Sequence, residues 1–310
     1  MTENTPTSGL HEGDHWLIAG GTGLIGSALT HELISRGAKV SIFTRNAEKA
    51  HKLFGDTITA VTDLNALPDT TGFTHIAHLA GSPLAGGLWT KSRKQSFFDS
   101  RAGISKQIND FLKRQTDKPK LLLSGSAIGY YGDIVRGTAD EHSPAGEDFM
   151  ADICSSWEKE ADGGKGYVDR LVKLRTGIVL SEKGGLMEPM TIAAKFGLGA
   201  TLGSGEQWMS WITLEDIIRL ILFIVYETDT TGPVNATTND PVRQKDFQKQ
   251  LSKSLSRRQF IWAPAFMLKL LLGDMADLFL TGQRVVPNVA ENIGFRFNHP
   301  TLKLALDAIL

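Results

Sequence analysis

The stretch HWLIAGGTGLIG, residues 15–26, decides the fold. It begins as a short apolar run typical of a buried strand. It then spaces Gly20, Gly23 and Gly26 ahead of a helical pattern that ends at Gly37. Glycines at this spacing permit a tight turn, close approach of the backbone to a pyrophosphate, and contact between helix and strand. The amino terminus of the helix adds N–H groups and a partial positive charge for phosphates. The stretch therefore predicts a dinucleotide-binding turn.

Behind this turn, apolar runs and helical patterns alternate up to about residue 180. The predicted strands are 15–20, 39–44, 57–61, 75–81, 120–126 and 171–179, and the predicted helices are 23–37, about 91–115 and 149–161. Fully apolar strands separated by helices indicate a parallel sheet covered on both faces. The predicted class is α/β, a doubly wound parallel-sheet Rossmann fold. This context argues against the alternative, a glycine-rich turn without a ligand.

The second predicted strand ends in FTR, which bears on the choice of cofactor. A site that prefers NAD has an acidic residue about 20 positions past the glycines to bind the ribose 2′-hydroxyl. Here that position is Arg45, whose guanidinium would hold a 2′-phosphate, and Thr44 adds a hydroxyl. The sequence therefore predicts NADP(H), with a solvated surface arginine as the alternative. The other contacts predicted along the cofactor are Asp63 at the adenine and Leu79, Ala80 and Gly81 at its middle.

The composition changes after about residue 180 and suggests a second part of the molecule. Residues 184–207 are rich in glycine, and helical patterns dominate from 213 onward. We expect a NADP-binding Rossmann domain over 15–180 that also draws elements from about 213–236. Residues 181–310 are expected to form a smaller, mostly helical substrate lobe over the carboxyl edge of the sheet, where doubly wound folds bind ligands.

Charge and cysteine content narrow the range of partners. The 310 residues carry a formal net charge of −1, which gives no electrostatic reason to expect nucleic acid or an acidic membrane. One cysteine forms no internal disulfide, and no His/Cys cluster indicates a metal. We therefore expect no metal and a reducing, cytoplasmic location.

Three segments remain outside this scheme. Residues 1–14 are polar and carry acids, so a disordered tail is expected rather than a targeting peptide. The apolar runs 217–226 and 266–280 are too short or too interrupted to span a bilayer. Both are predicted to be buried helices, with interfacial membrane binding as the alternative.

Several longer motifs resemble those of one superfamily. They are GGTGLIG (20–26), HLAG (78–81), SR (100–101), SGSAIGYYG (124–132), SSWEKEA (155–161), LRTGIVL (174–180), GLGATLGSGEQWMSWITLED (197–216) and GFRFNHPTLKLAL (294–306). Together they resemble the extended short-chain dehydrogenase/reductase superfamily of the NAD-dependent epimerase/dehydratase type. The narrower resemblance is to its epimerase-family subgroup, some members of which are called sugar epimerases or cell-division inhibitors. That subgroup has a C-terminal domain of unknown function, here about 250–310.

The resemblance implies a Rossmann domain that binds NADP(H) and a lobe for a small-molecule substrate that it does not identify. Matched position by position, it implies cofactor contacts at Thr22, Leu24, Ile25, Thr44, Arg45, Leu79, Ala80, Ser100, Arg101 and Val179. Dimers are common in the superfamily, so a homodimer stands as an alternative to a monomer.

The proton relay of the superfamily is incomplete in this chain. Ordinary members use a serine or threonine to polarise the carbonyl and a tyrosine to pass the proton. A lysine lowers the tyrosine pKa and holds the nicotinamide ribose. The resemblance places the serine at Ser126. Counted by analogy from Glu158, the usual Tyr-x-x-x-Lys falls on Met150 and Cys154. A thioether carries no proton, and a thiol among apolar neighbours is usually inert.

Other residues can take over the proton transfer. Tyr130 and Tyr131 follow Ser126 closely enough for one phenol to reach the nicotinamide while the other packs. Further candidates are Glu141, Gln207, Trp208, Ser210 and Trp211. Relatives commonly have a histidine where this chain has Thr213.

The sequence therefore predicts an atypical NADP(H)-binding reductase or epimerase-like protein that transfers hydride at a carbonyl or sugar-like carbon. Its candidate catalytic residues are Ser126, Tyr130 and Tyr131. The alternative is a non-catalytic NADPH-binding regulator or sensor, which the missing Tyr-x-x-x-Lys favours. The retained serine and the glycine- and aromatic-rich segment 197–211 favour an enzyme, because a sensor needs no substrate cleft.

Overall fold

The computed structural model describes residues 13–182, 184–185, 187–257 and 261–310. Its strands are β1 (His15–Ala19), β2 (Lys39–Phe43), β3 (Ile58–Val61), β4 (His75–His78), β5 (Leu121–Ala127), β6 (Arg170–Thr176), β7 (Ile178–Leu180), β8 (Ala200–Leu202), β9 (Trp208–Met209), β10 (Trp211–Thr213), β11 (Gly232–Ala236), β12 (Val242–Arg243) and β13 (Ile261–Ala263). Its α-helices are α1 (Leu24–Ser35), α2 (Ala47–Phe54), α3 (Lys91–Phe98), α4 (Ile104–Arg114), α5 (Phe149–Asp162), α6 (Met187–Lys195), α7 (Leu214–Glu227), α8 (Gln244–Ser254), α9 (Ala265–Leu272), α10 (Asp277–Leu280), α11 (Asn288–Asn292) and α12 (Leu302–Ile309).

Seven parallel strands form the central sheet in the order β11-β6-β5-β4-β1-β2-β3. Trp16 and Ile18 of β1 belong to the apolar core on one face, whereas Leu17 and Ala19 belong to the core on the other. This alternation shows that helices cover both faces, so the predicted doubly wound Rossmann fold is confirmed. The strand order reverses between β1 and β4, and doubly wound folds bind ligands beside that reversal.

Two predicted elements are interrupted in the structure. The helix predicted over about 91–115 contains a π-helical turn, Asp99–Gly103, between α3 and α4. The strand predicted over 171–179 is two strands, because the chain leaves the sheet at Gly177 and β7 pairs with β10 instead. A Cβ atom added at Gly177 would lie 2.7 Å from the Ser210 carbonyl oxygen, so the crossing requires glycine.

The remainder of the chain packs around β7 and β10. Leu180, Trp211, Phe247 and Leu306 lie in one core that joins these strands to α6, α8 and α12. Of the predicted tail, residues 1–12 lie outside the described residues. Asp14, at the end of that tail, is buried beside β4.

The two apolar runs differ in how far they are buried. The run 217–226 lies in α7, which packs its apolar face into the main core, as predicted. The prediction of a buried helix over 266–280 is wrong, because α9 has no buried residue and only Met275 and Ala276 of that run are buried. An all-apolar composition indicated burial, but nothing in the described chain covers the outer side of α9. Among the described helices, none is long and apolar enough to cross a membrane.

Candidate functional site

The turn after β1 is closely packed against its neighbours. Gly20 has φ +87°, and a Cβ atom there would lie 2.6 Å from the Ala80 backbone nitrogen. A Cβ atom on Gly26 would collide with the Gly20 carbonyl oxygen. The Gly23 N–H donates to that same carbonyl at 3.0 Å. The glycines therefore let the turn lie on the end of β4 and let α1 start directly against the turn.

The amino terminus of α1 has the properties of a phosphate site. Its N-cap is Gly23, no side chain caps it, and its first turn holds no acidic residue. The first-turn N–H groups, which include those of Leu24 and Ile25, therefore keep their hydrogen-bonding capacity for an anion. Thr22 lies half-buried in the turn.

A segment from the second half of the chain reaches this turn. Cβ atoms added at Gly184 and Gly185 would lie 3.6 and 3.3 Å from the two Cδ atoms of Leu24. The one at Gly185 would also lie 3.4 Å from the Val179 carbonyl oxygen. The structure therefore brings Leu24 and Val179, two positions implied by the family resemblance, to one place.

The residues after β2 are held by local hydrogen bonds, except for the side chain of Arg45. The Thr44 hydroxyl accepts from the Asn46 N–H at 3.1 Å, and the Asn46 side chain caps α2 through the Lys49 N–H at 2.8 Å. Between them, Arg45 is exposed and makes no hydrogen bond or ion pair with any described residue. An exposed arginine without a partner is compatible both with a 2′-phosphate contact and with the alternative of a solvated surface arginine, so the contact stays a prediction.

Asp63 is exposed and accepts from the Asn65 N–H at 2.9 Å. It caps the short turn Leu64–Ala66, and its contact with an adenine stays a prediction.

The π-helical turn presents Ser100 and Arg101 to the loop after β4. The Ser82 N–H donates to the Ser100 hydroxyl at 2.9 Å, and the Arg101 guanidinium donates to the carbonyls of Ser82 and Phe97, both at 3.2 Å. A Cβ atom on Gly81 would lie 3.0 Å from the Arg101 Cζ. Burial lowers the pKa of Arg101. Among the described residues its partners are carbonyls and a hydroxyl, so no carboxylate there neutralises its charge. The contact of Ser100 and Arg101 with a cofactor stays a prediction.

The positions that carry tyrosine and lysine in the superfamily are packed. A Cβ atom on Gly129 would lie 3.3 Å from the Met150 Cβ and 3.6 Å from the Cys154 Sγ. Met150 packs against the core formed by Trp89, Phe97, Ile153 and Met275. Cys154 is 2% exposed, and burial raises the pKa of its thiol to about 12. Both side chains are therefore packing groups, as interpreted from the sequence.

Ser126 lies inside a network of charged groups. It is 4% exposed, and its hydroxyl donates to Glu158 Oε1 at 2.8 Å. Glu158 in turn accepts from Nε and Nη2 of the Arg175 guanidinium, at 2.7 and 2.9 Å. The hydroxyl directs its proton to Glu158, so a substrate carbonyl would have to compete with that carboxylate for it. The polarising role of Ser126 stays a prediction.

The two tyrosines differ in their hydrogen bonding. The Tyr131 hydroxyl donates to Asn235 Oδ1 at 2.7 Å and accepts from Arg175 at 2.9 Å. Burial raises the pKa of Tyr131 to about 12, so the phenol keeps its proton, and the predicted role of either tyrosine as proton donor stays a prediction. Tyr130 is half-buried, and its hydroxyl has no partner within the described chain. The Arg175 Cζ lies 3.5 Å from the centroid of its ring.

The remaining candidates hold the lobe together. Glu141 is buried and accepts from the backbone N–H groups of Asn235 and Val289, at 3.0 and 3.1 Å. Burial raises its pKa. Gln207, Ser210 and Trp211 donate to backbone carbonyls of Phe279, Gln283 and Asp240 respectively, at 2.7 to 2.8 Å. The Trp208 ring faces Arg243 at 3.6 Å, and Thr213 caps α7.

The sequence analysis did not identify the roles of Arg175 and Glu158. A signal was available, because Lys173 and Arg175 are two apart on one face of a strand whose intervening residue is apolar. Charged residues on a central strand require partners of opposite charge. Glu158, on the helix after β5, is that partner, and Lys173 lies 3.6 Å from it.

A doubly wound sheet with this phosphate turn, and with a serine at the end of β5, defines a nucleotide-cofactor protein of the short-chain dehydrogenase/reductase type. The chain belongs to the NAD-dependent epimerase/dehydratase family, whose sequence model matches residues 16–150. The model of a domain of unknown function, DUF1731, matches residues 263–309. The family predicted from the motifs is therefore confirmed.

Individual relatives agree with this assignment. The epimerase family protein YfhF of Bacillus subtilis is 35% identical over 299 residues, covering 94% of this chain and 97% of its own. An epimerase family protein of Staphylococcus haemolyticus is 32% identical over 298 residues, covering 95% and 98%. The crystal structure of human epimerase family protein SDR39U1 with NADPH matches at 27% identity and a TM-score of 0.87, covering 95% of this chain and 98% of that one.

Proposed function

We propose that this chain binds NADPH and reduces a carbonyl or sugar-like carbon by hydride transfer, with Tyr130 as the proton donor. The observation that carries the proposal is the unpartnered Tyr130 hydroxyl beside the positive charge of Arg175. Every other side chain that the sequence offered for this task at the end of β5 is bonded within the protein.

The residues present fit NADPH. The turn at Gly20 to Gly26 brings backbone close enough for a pyrophosphate, and Arg45 suits a 2′-phosphate. Arg101 offers a charge without a carboxylate partner among the described residues. The human relative crystallised with NADPH supports the same choice. NADPH, when bound, supplies a hydride to the substrate carbon.

Tyr130 completes the reduction. Its phenol gives a proton to the carbonyl oxygen while the carbon gains the hydride, and the product is an alcohol. The Arg175 guanidinium over the ring stabilises the phenolate left behind, and Glu158 holds that guanidinium in place. Because Tyr130 is half-exposed, solvent can return the proton.

A second function has its own support. Met150 and Cys154 carry no relay, and Ser126 is bonded to Glu158. A protein that binds NADPH only to change a surface needs none of these groups. This regulator is the alternative that the experiment must separate from the reductase.

The test loads the purified chain with NADPH, adds fractionated cell extract, and follows nicotinamide absorbance. Tyr130→Phe should abolish the oxidation and leave NADPH affinity within about threefold of the wild type. The matched control is Tyr167→Phe, an exposed tyrosine just before β6, at the opposite edge of the sheet. NADPH binding with no oxidation in any fraction would support the regulator. Oxidation that survives in Tyr130→Phe would overturn the proton-donor role.

A further inference from the structure

Exposed apolar side chains are concentrated in one part of the lobe. The described residues include fifteen exposed large hydrophobic side chains, and nine of them lie in two segments, 192–198 and 261–271. These nine, named here the α6–α9 patch, are Ile192, Phe196, Leu198, Ile261, Trp262, Phe266, Met267, Leu270 and Leu271. Leu270 is 83% exposed and Phe266 70%. Concentrations of this kind mark surfaces that bind something.

The two segments are joined by backbone pairing. Strand β8, which follows α6, pairs in parallel with β13, so that Ala200 lies opposite Ile261. The Trp262 indole donates to the Gly203 carbonyl at 2.6 Å. A Cβ atom on Gly203 would lie 3.6 Å from the Ala265 Cβ at the start of α9. The patch is therefore a constructed surface rather than two independent loops.

The two segments contain two lysines, Lys195 and Lys269, and no acidic residue. The longer stretches around them, 189–205 and 247–273, contain six lysines and arginines in all and no acidic residue, and each stretch is flanked by an acidic residue on both sides. Since the whole chain has a net charge of −1, positive charge is concentrated in this part of the sequence. The cations that lie in the described part are exposed and form no ion pair there; they are Lys195, Lys249, Lys253, Arg257 and Lys269.

We propose that the α6–α9 patch binds the interface of an anionic lipid bilayer. Leucine, phenylalanine and tryptophan side chains would enter the boundary between headgroups and acyl chains, while the surrounding lysines and arginines contact anionic headgroups. Trp262 suits such a boundary, with its N–H bonded to protein and its ring exposed. The expectation of no membrane partner came from the net charge, which averages over this uneven distribution.

Two other occupants fit the observations less well. A second copy bound through the same patch would bring the exposed Lys195 and Lys269 of both copies together, and their repulsion opposes that contact. A nucleic acid would satisfy the charge but would leave side chains such as Leu270 and Phe266 without an apolar partner. An anionic bilayer satisfies both the charge and the apolar surface.

The experiment is flotation of the full chain with vesicles of phosphatidylcholine alone or mixed with phosphatidylglycerol. Binding is expected only with phosphatidylglycerol, and it should weaken as salt is added. The pair Phe266→Glu and Leu270→Glu should abolish it. Lys253→Gln and Lys269→Gln should each weaken it about fivefold. Leu53→Glu and Val135→Glu, exposed apolar positions outside the patch, are the matched controls and should change nothing.

A second measurement tests whether the α6–α9 patch itself contacts the lipid. Brominated lipids should quench tryptophan fluorescence, and part of that quenching should be lost in Trp262→Phe. NADPH affinity, measured in every variant, shows that the fold is intact. Failure to bind either vesicle, equal binding to both, or binding that survives Phe266→Glu with Leu270→Glu would overturn the proposal. Light scattering that shows dimers of the wild type and monomers of that double variant would overturn it too, in favour of an interface between copies.

Discussion

The two sides of the carboxyl edge of the sheet treat their polar groups in opposite ways. Beside β1, β2 and β4, the helix amino terminus, Arg45 and Arg101 keep capacity for a ligand. Beside β5 and β6, Ser126, Glu158 and Arg175 bond to one another. The first region, the cofactor side, is organised for binding. The second, the relay side, uses most of its polar groups to hold itself together.

Charged groups of other elements lie near Cys154. In the superfamily this helix position carries a lysine. The thiol interacts electrostatically with Arg101 of the π-helical turn, with Arg175 of β6 and with the carboxylate of Glu158, which pairs with Arg175. Among these groups, Arg101 is the cation without a carboxylate partner in the described chain. Positive charge near this position therefore comes from another element, whereas the side chain at the position itself is neutral.

The largest effect is expected from replacing Glu158, the residue of the relay side that bonds to both Ser126 and Arg175. Glu158→Ala leaves the buried Arg175 without an acidic partner, and we expect a loss of about 3–5 kcal/mol in the free energy of unfolding. Urea denaturation measures it. Glu160→Ala, on the same helix, is the control and should cost less than about 0.5 kcal/mol. A loss below about 1 kcal/mol for Glu158→Ala would show that the network is not structural, and would favour the predicted catalytic role of Ser126.

The second prediction concerns His78, which lies between the cofactor side and the relay side. His78, at the end of β4, donates to the Arg101 carbonyl at 3.0 Å and its ring lies 5.3 Å from that of Trp157. Burial lowers the pKa of His78 from 6.5 to about 4. The folded state therefore binds fewer protons than the unfolded state between these values, and stability should fall by about 3 kcal/mol as pH drops from 6.5 to 4.

Unfolding free energies measured across that range check this slope. The variant His78→Asn has no ring to protonate and should show a slope shallower by this amount. An unchanged slope in the variant would mean that His78 is accessible to protons in the folded state, and that the boundary between the two sides is open.

A substitution on the cofactor side should change the affinity for NADPH rather than the free energy of unfolding. Arg45→Asp is expected to weaken NADPH about 100-fold, the loss of a charge-assisted contact, and to change NADH by less than about threefold. Titration of nicotinamide fluorescence measures both. Arg136→Asp, at another exposed arginine, should alter neither. Equal losses for the two cofactors would remove the 2′-phosphate role.

The smallest effect concerns the residue that replaces the lysine. Cys154→Ala should cost about 1 kcal/mol of stability and leave NADPH affinity unchanged, because the thiol only packs. Iodoacetamide at pH 8 should leave the folded thiol unmodified and react in urea, since burial raises the thiol pKa to about 12. Rapid modification of the folded protein would reverse the interpretation and make Cys154 a reactive group.

The sequence predicted the glycine turn and the sheet of the cofactor side because backbone geometry and spacing define them. Gly20, Gly23 and Gly26 are recognisable as letters at fixed distances, and the alternation of strands and helices predicted the sheet around them. Arg45 followed from its distance to those glycines. Features that depend on residues close together in the sequence can be predicted without the structure.

The relay side could not be predicted in the same way because its partners are distant in sequence. Ser126 and Glu158 are 32 residues apart, and Tyr131 and Asn235 are 104 apart. Only the folded sheet shows that the Ser126 proton is bonded and the Tyr130 hydroxyl is free. The prediction that α9 is buried failed for another reason. The sequence of an apolar helix does not show whether protein, lipid or solvent lies against it.

The π-helical turn at Asp99–Gly103 makes the length of this helix part of the cofactor site. Such a turn holds one more residue than a regular α-helix of the same rise, so deleting one residue would let α3 run directly into α4. Because the extra residue is confined to the turn, α3 and α4 would keep their buried faces, but the residues of the turn, Arg101 among them, would shift relative to Gly81. A deletion in the regular part of α4 would instead rotate the residues that follow it by about 100°. In this segment an insertion or deletion is therefore as consequential as a change of residue, and aligning relatives by composition alone would overlook it.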